Sequence, residues 1–150
     1  MYEEILVPLD GSEFAEAALP HARALSKAFD GRITLISVFE PATVISQPGA
    51  VGPVISVAVD TEAEMTALRQ YLDKVVANLK TEGINVRTAI RQGDPASVVI
   101  DYAAANREDI IVMSTHGRSG IQRWVYGSVA DKVLRSANVP VLLIRAHVRE

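Results

Sequence analysis

Short apolar runs of strand composition alternate along this chain with segments whose apolar residues recur every three or four positions. The runs lie at residues 5–7, 33–39, 84–91, 110–113 and 139–144. Between them, four sets of apolar positions keep helical spacing: Phe14, Ala18, Ala22, Leu25 and Phe29; Met65, Leu68, Leu72, Val75 and Leu79; Val98, Val99, Tyr102 and Ala103; and Val129, Val133 and Leu134. A parallel strand pair needs a crossover that travels back along the sheet, and a helix packed on one face does this. The fourth run, Ile110-Ile111-Val112-Met113, is the most apolar, which places it centrally with both faces covered. Right-handed crossovers leave few topologies. The expected fold is α/β: a doubly wound, open five-stranded parallel sheet of order 3-2-1-4-5, with helices on both faces. Residues 1–150 read as one domain.

Local chemistry marks several boundaries. Ser12 reads as a helix N-cap with Glu13 in the first turn, and Asp94 as an N-cap with Pro95 at the first helical position. Asp30-Gly31 and Glu82-Gly83 end helices. Pro20 falls inside the 14–29 pattern, where a missing N–H predicts a kink. Residues 41–60 form a long connection rich in proline, glycine and valine. Its length suits either a flap that orders over the ligand end of the sheet or a fixed surface excursion.

Composition removes whole classes of function. With 49% apolar and 22% charged residues the chain is neither disordered nor collagen-like. A net charge of −3 gives no broad field for a nucleic acid, so any phosphate must be bound locally. The absence of cysteine excludes disulfides, thiolate chemistry and cysteine-ligated zinc. The first residues do not resemble a secretory signal, and Pro41, Pro48, Gly49, Gly52 and Pro53 interrupt the longest uncharged stretch. The expectation is a cytoplasmic protein with no membrane span.

In an open α/β sheet, ligands bind beyond the carboxyl ends of the strands, where strand order reverses. That rule selects the loops at residues 8–12 and 114–128, which are also rich in Gly, Ser and Thr. Gly117 and Gly120 permit a tight turn that brings amides close to an anion. Gly127-Ser128 opens a helix whose first N–H groups are unsatisfied and carry partial positive charge. A phosphate fits both features; so does a plain pair of turns with a helix cap. Asp10 faces the same crevice and can accept hydrogen bonds from a ribose hydroxyl or a base amine, or serve only its Asp10-Gly11 turn.

Neither the P-loop pattern nor Gly-x-Gly-x-x-Gly occurs, and 117–120 lacks the spacing of a nucleophile elbow. His21, His116 and His147 are far apart, without metal partners at helical spacing; His21 reads as a surface helix residue. No nucleophile is paired with a base, so no efficient catalysis is expected.

The segments Val7-Pro-Leu-Asp-Gly-Ser12, Gly93-Asp-Pro95, Ile111-Val-Met-Ser-Thr-His-Gly-Arg-Ser-Gly120, Gly127-Ser-Val129 and Val139-Pro-Val-Leu-Leu-Ile144 together resemble the universal stress protein family, over essentially the whole chain. Its ATP-binding members carry Gly-x2-Gly-x9-Gly-Ser/Thr. Gly117 and Gly127-Ser128 match this pattern, and Ser114 stands at its first glycine. The resemblance implies ATP, with Mg²⁺, as the cofactor. It places Pro8, Leu9 and Asp10 against the nucleoside, the Val38 main chain against adenine, and Met113 and Ser114 beside the ribose. It places Gly117, Arg118, Gly127, Ser128 and Val129 around the phosphates. It also implies a homodimer paired through the last strand, and a stress-response switch or sensor. Two alternatives stay open. One is an adenine-nucleotide α-hydrolase, although Asp10-Gly11-Ser12 is only a fragment of that class's Ser-Gly-Gly-x-Asp-Ser loop. The other is an interaction module that binds no nucleotide.

Overall fold

Ile5, Leu6 and Val7 are all fully buried, so the first strand, β1 (Glu4–Pro8), is covered on both faces. The computed structural model describes residues 1–40, 61–115 and 127–146. Gly117, Arg118, His116, His147 and the 41–60 connection lie outside the described residues.

After β1 come α1 (Glu13–Glu16), α2 (Leu19–Phe29), β2 (Arg32–Phe39) and α3 (Thr61–Thr81). They are followed by β3 (Val86–Gln92), α4 (Pro95–Ala105), β4 (Ile110–Ser114), α5 (Ser128–Ser136) and β5 (Val141–Ile144). The strands form one parallel sheet of order β3-β2-β1-β4-β5, as the alternation predicts. Side chains alternate across it. Ile5, Val7, Ile33, Leu35, Ile110 and Val112 pack on one side with Leu19 and Ala22 of α2 and Leu72, Val75 and Leu79 of α3. Leu6, Ile36, Ala89, Ile111 and Met113 pack on the other with Ala96, Val99 and Ala103 of α4 and Ala130 and Val133 of α5.

The caps predicted from local chemistry form. Ser12 accepts from Ala15 N–H at 3.2 Å, and Asp94 accepts from Ser97 N–H at 3.0 Å with Pro95 in the first turn of α4. Asp94 also takes Ser97 Oγ–H at 2.7 Å and Lys132 Nζ at 3.0 Å, which lowers its pKa to about 2.

Two local expectations are corrected. Pro20 does not kink a helix: the chain breaks between α1 and α2, and Pro20 falls in the first turn of α2, where no N–H is needed. Leu134 does not face inward. It is 48% exposed, because Ala130 and Val133 define the inner face of α5. Asp30-Gly31 ends α2 as expected, and the left-handed φ of 52° falls on Asp30, not on Gly31. Gly31 serves a close approach instead, since a Cβ there would collide with the Tyr2 carbonyl.

At the sheet end where the strands begin, Glu108 is buried between β1, β2 and β3. It accepts from Arg87 Nη2 at 3.0 Å, while Arg87 Nε donates to Thr34 Oγ1 at 2.7 Å. Burial pushes the Glu108 carboxyl above its ordinary pKa, against the pull of Arg87.

Candidate functional site

At the other end of the sheet, where the strands finish, β1 gives way to a fixed turn. Leu9 N–H donates to Ile36 O at 2.9 Å, and Leu9 O accepts from the buried Ser37 hydroxyl at 2.8 Å. Gly11, at φ 86°, then turns the chain. Asp10 Oδ1 accepts from Ser12 N–H at 2.9 Å and from Ser12 Oγ at 2.5 Å. The Asp10 carboxylate is therefore held at the strand end by the same serine that caps α1.

On the neighbouring strand, β4 runs through Met113 and Ser114 into Thr115, all buried. Thr115 N–H donates to Ile144 O at 2.9 Å, and Thr115 O accepts from Gly127 N–H at 2.7 Å. This last bond pins the start of α5 against the end of β4. Gly127 is the N-cap of α5 and supplies no side-chain cap, so the first amides of the helix keep their partial positive charge available. Its φ of −49° suits any residue; what demands glycine is space, since a Cβ would lie 2.7 Å from Thr115 O.

Between these two loops lies a cleft of about 580 Å³. Pro8, Leu9, Asp10, Val38, Met113, Ser114, Gly127, Ser128 and Val129, all singled out from sequence, line it. Gly117 and Arg118 lie outside the described residues. His21 is exposed on α2, as expected. The cleft wall also includes residues that were not assigned to a ligand from sequence: Thr115 and Pro95, which lie within the quoted motifs, and Glu64 and Leu68 of α3 and Val99 of α4, which do not. A topological signal was available for these. In a parallel sheet the crossover helices begin at the carboxyl ends of the strands, so the first turns of α3 and α4 belong to the ligand side.

The cleft is electrically two-sided. Among the described lining residues the charged side chains are Asp10, Glu40 and Glu64. Glu40 and Glu64 lie on the β2 side of β1, whereas the start of α5 lies on the β4 side. One end thus offers acceptors and the other offers amide donors. Behind Asp10, burial together with the charges of Glu16 and Asp10 raises the pKa of the Tyr71 hydroxyl. The phenol stays protonated. Among the described residues no group of three His, Cys, Asp or Glu side chains is arranged to hold a metal ion.

The sequence profile of the universal stress protein family matches residues 1–145. The chain belongs to the universal stress protein family. A universal stress protein of Methanocaldococcus jannaschii is 30% identical over all of this chain and 86% of its own length. The structure of a universal stress protein from Lactobacillus plantarum superposes with a TM-score of 0.80 at 27% identity, covering 96% of this chain and 98% of that one. The Archaeoglobus fulgidus universal stress protein in complex with dAMP shares the fold at a TM-score of 0.68 and 20% identity, covering 95% of this chain and 98% of its own. No helix among the described residues is long and apolar enough to cross a membrane.

Proposed function

We propose that this universal stress protein binds an adenine nucleotide, ATP in the first instance, and acts as a nucleotide-dependent switch or sensor in a cytoplasmic stress response. The observation that carries the reading is the two-sided cleft at the point where strand order reverses. Its amide end suits phosphates, and its carboxylate end suits a ribose or a base amine but repels phosphates. A nucleotide therefore has one favourable direction in the cleft, with its phosphates toward Gly127, Ser128 and Val129. The complex of the Archaeoglobus fulgidus relative with dAMP supports an adenine nucleotide as the ligand class. Gly117 and Arg118 would complete the phosphate end, and Mg²⁺ would be held mainly by phosphate oxygens and water.

Calorimetric titration of the purified protein with ATP, ADP and AMP tests the reading, as does mass spectrometry of the denatured protein for copurified nucleotide. Saturable binding of at least one nucleotide is expected, and binding of none refutes it. Formation of AMP and pyrophosphate would point to the hydrolase alternative instead. The proposal extends to a homodimer. Among the described residues strand β5 pairs with β4 on one side only, and its four residues are half-buried, so an antiparallel copy of Val141–Ile144 would cover an apolar edge. A strictly monomeric mass by light scattering at high micromolar concentration would exclude that pairing.

A further inference from the structure

Thr115 lines the cleft and carries an unused hydroxyl that solvent does not reach. Its residue is 5% exposed, and both its backbone groups are engaged, with Ile144 O and Gly127 N–H. Its Oγ1 is buried and has no hydrogen-bond partner. Folded proteins keep few such hydroxyls, because an unpaired buried donor loses its bonds to water without replacement. Other buried side-chain atoms left unpaired among the described residues belong to Arg23 and Glu108, neither of which lines the cleft.

We infer that the Thr115 hydroxyl reads the bound ligand, donating to a phosphate oxygen seated beside the first amides of α5. The Thr115 O–Gly127 N bond of 2.7 Å fixes this residue next to the helix start, so its hydroxyl joins the amide donors rather than the carboxylate end. Rotation about χ1 exchanges Oγ1 and Cγ2 between staggered positions and brings the hydroxyl toward a ligand against the wall. A hydrogen bond to an ionised phosphate is stronger than one between neutral groups, and the resting orphan is relieved only when the ligand is present. The inference rests on the nucleotide reading above and adds to it a side-chain donor that discriminates phosphorylated from unphosphorylated ligands.

The test compares the wild type with Thr115→Val, which keeps the shape and removes the hydroxyl, and Thr115→Ser, which keeps the hydroxyl. Each is titrated with adenosine, AMP and ATP and melted without ligand. Thr115→Val should melt at or above the wild-type temperature, bind AMP and ATP about tenfold or more weakly, and bind adenosine unchanged. Thr115→Ser should bind the phosphorylated ligands nearly as well as the wild type. Unaltered AMP and ATP affinity in Thr115→Val overturns this inference alone, as does an equal loss for adenosine. A lower melting temperature of Thr115→Val, recovered in Thr115→Ser, also overturns it, by showing a structural partner for the hydroxyl. A wild type that binds none of the three compounds overturns the nucleotide reading and this inference with it.

Discussion

Adding a single methyl group at Gly127 separates the demands of the cleft from those of general stability. A Cβ there would stand 2.7 Å from Thr115 O, and the neighbour is backbone, which cannot swing aside. To restore ordinary contact, the start of α5 must retreat from β4 by about 0.7 Å. Overpacking of this kind costs about 1–3 kcal/mol, and the shift also stretches the 2.7 Å bond between Gly127 N–H and Thr115 O. For a chain of 150 residues that corresponds to a fall in Tm of about 2–12 °C. Gly83 supplies the control. It lies beyond the far end of α3 at φ +76°, with nothing within 4 Å of its Cβ position. Alanine there adds about 1–2 kcal/mol of left-handed backbone strain without touching the cleft. Thermal unfolding should therefore show comparable losses for Gly127→Ala and Gly83→Ala. Titration with ATP should show binding about tenfold or more weaker in Gly127→Ala and wild-type binding in Gly83→Ala. If both variants bind ATP equally well, the close approach of α5 to Thr115 does not shape the phosphate end.

Leu72→Ala, at a site 1% exposed on the inner face of α3, should destabilise by about 2–5 kcal/mol in urea unfolding, whereas Leu134→Ala, 48% exposed, should stay within about 0.5 kcal/mol. Asp94 has its pKa lowered to about 2 chiefly by the side-chain and backbone hydrogen bonds of Ser97, so its stabilisation is present above the ordinary aspartate range and lost as pH falls through about 2. Melting curves of the wild type and Asp94→Ala should accordingly differ at pH 7 and converge near pH 2. Glu108 has the opposite sign: burial raises its pKa, so the folded state favours the protonated form and loses stability as pH rises through the carboxyl range. Glu108→Gln, which removes the charge and keeps the shape, should gain stability relative to the wild type between pH 4 and pH 7 in urea titrations.

What could be read from the residues was what depends on neighbours in sequence. The continuous apolar runs of β1 and β4 announce strands covered on both faces, and Ser12 and Asp94 announce caps through chemistry that spans three residues. The break between α1 and α2 was hidden because it falls at Ala17-Ala18, which carry no breaker signal, while the apolar period runs on through it. Val133 and Leu134 are adjacent on α5, and only contact with the sheet decides which of them faces in. The same limit applies at the cleft. Strand order alone placed Asp10 and Ser114 side by side. Glu64 went unnoticed because it follows a segment without motifs, and the reason for Gly127 is a carbonyl twelve residues earlier in the chain.

The ladder between β1 and β4 consists of the register pairs Ile5↔Ile110 and Leu6↔Ile111, whereas β1 and β2 pair continuously from Glu4↔Arg32 to Pro8↔Ile36. Joining β1 to β4 closes a loop of about a hundred residues, an entropic demand that the crossovers within β1–β2–β3 do not face. This junction is therefore the seam of the sheet that joins the most distant parts of the chain. Pro8, Leu9 and Asp10 flank the cleft from one side of the seam, and Met113, Ser114 and Thr115 from the other. A molecule held by both acts as a staple across it, and its binding energy is added to the barrier for opening. Occupancy would then be written into the lifetime of the protein. A filled cleft would slow unfolding and proteolysis, and an empty one would shorten survival, without any element having to move.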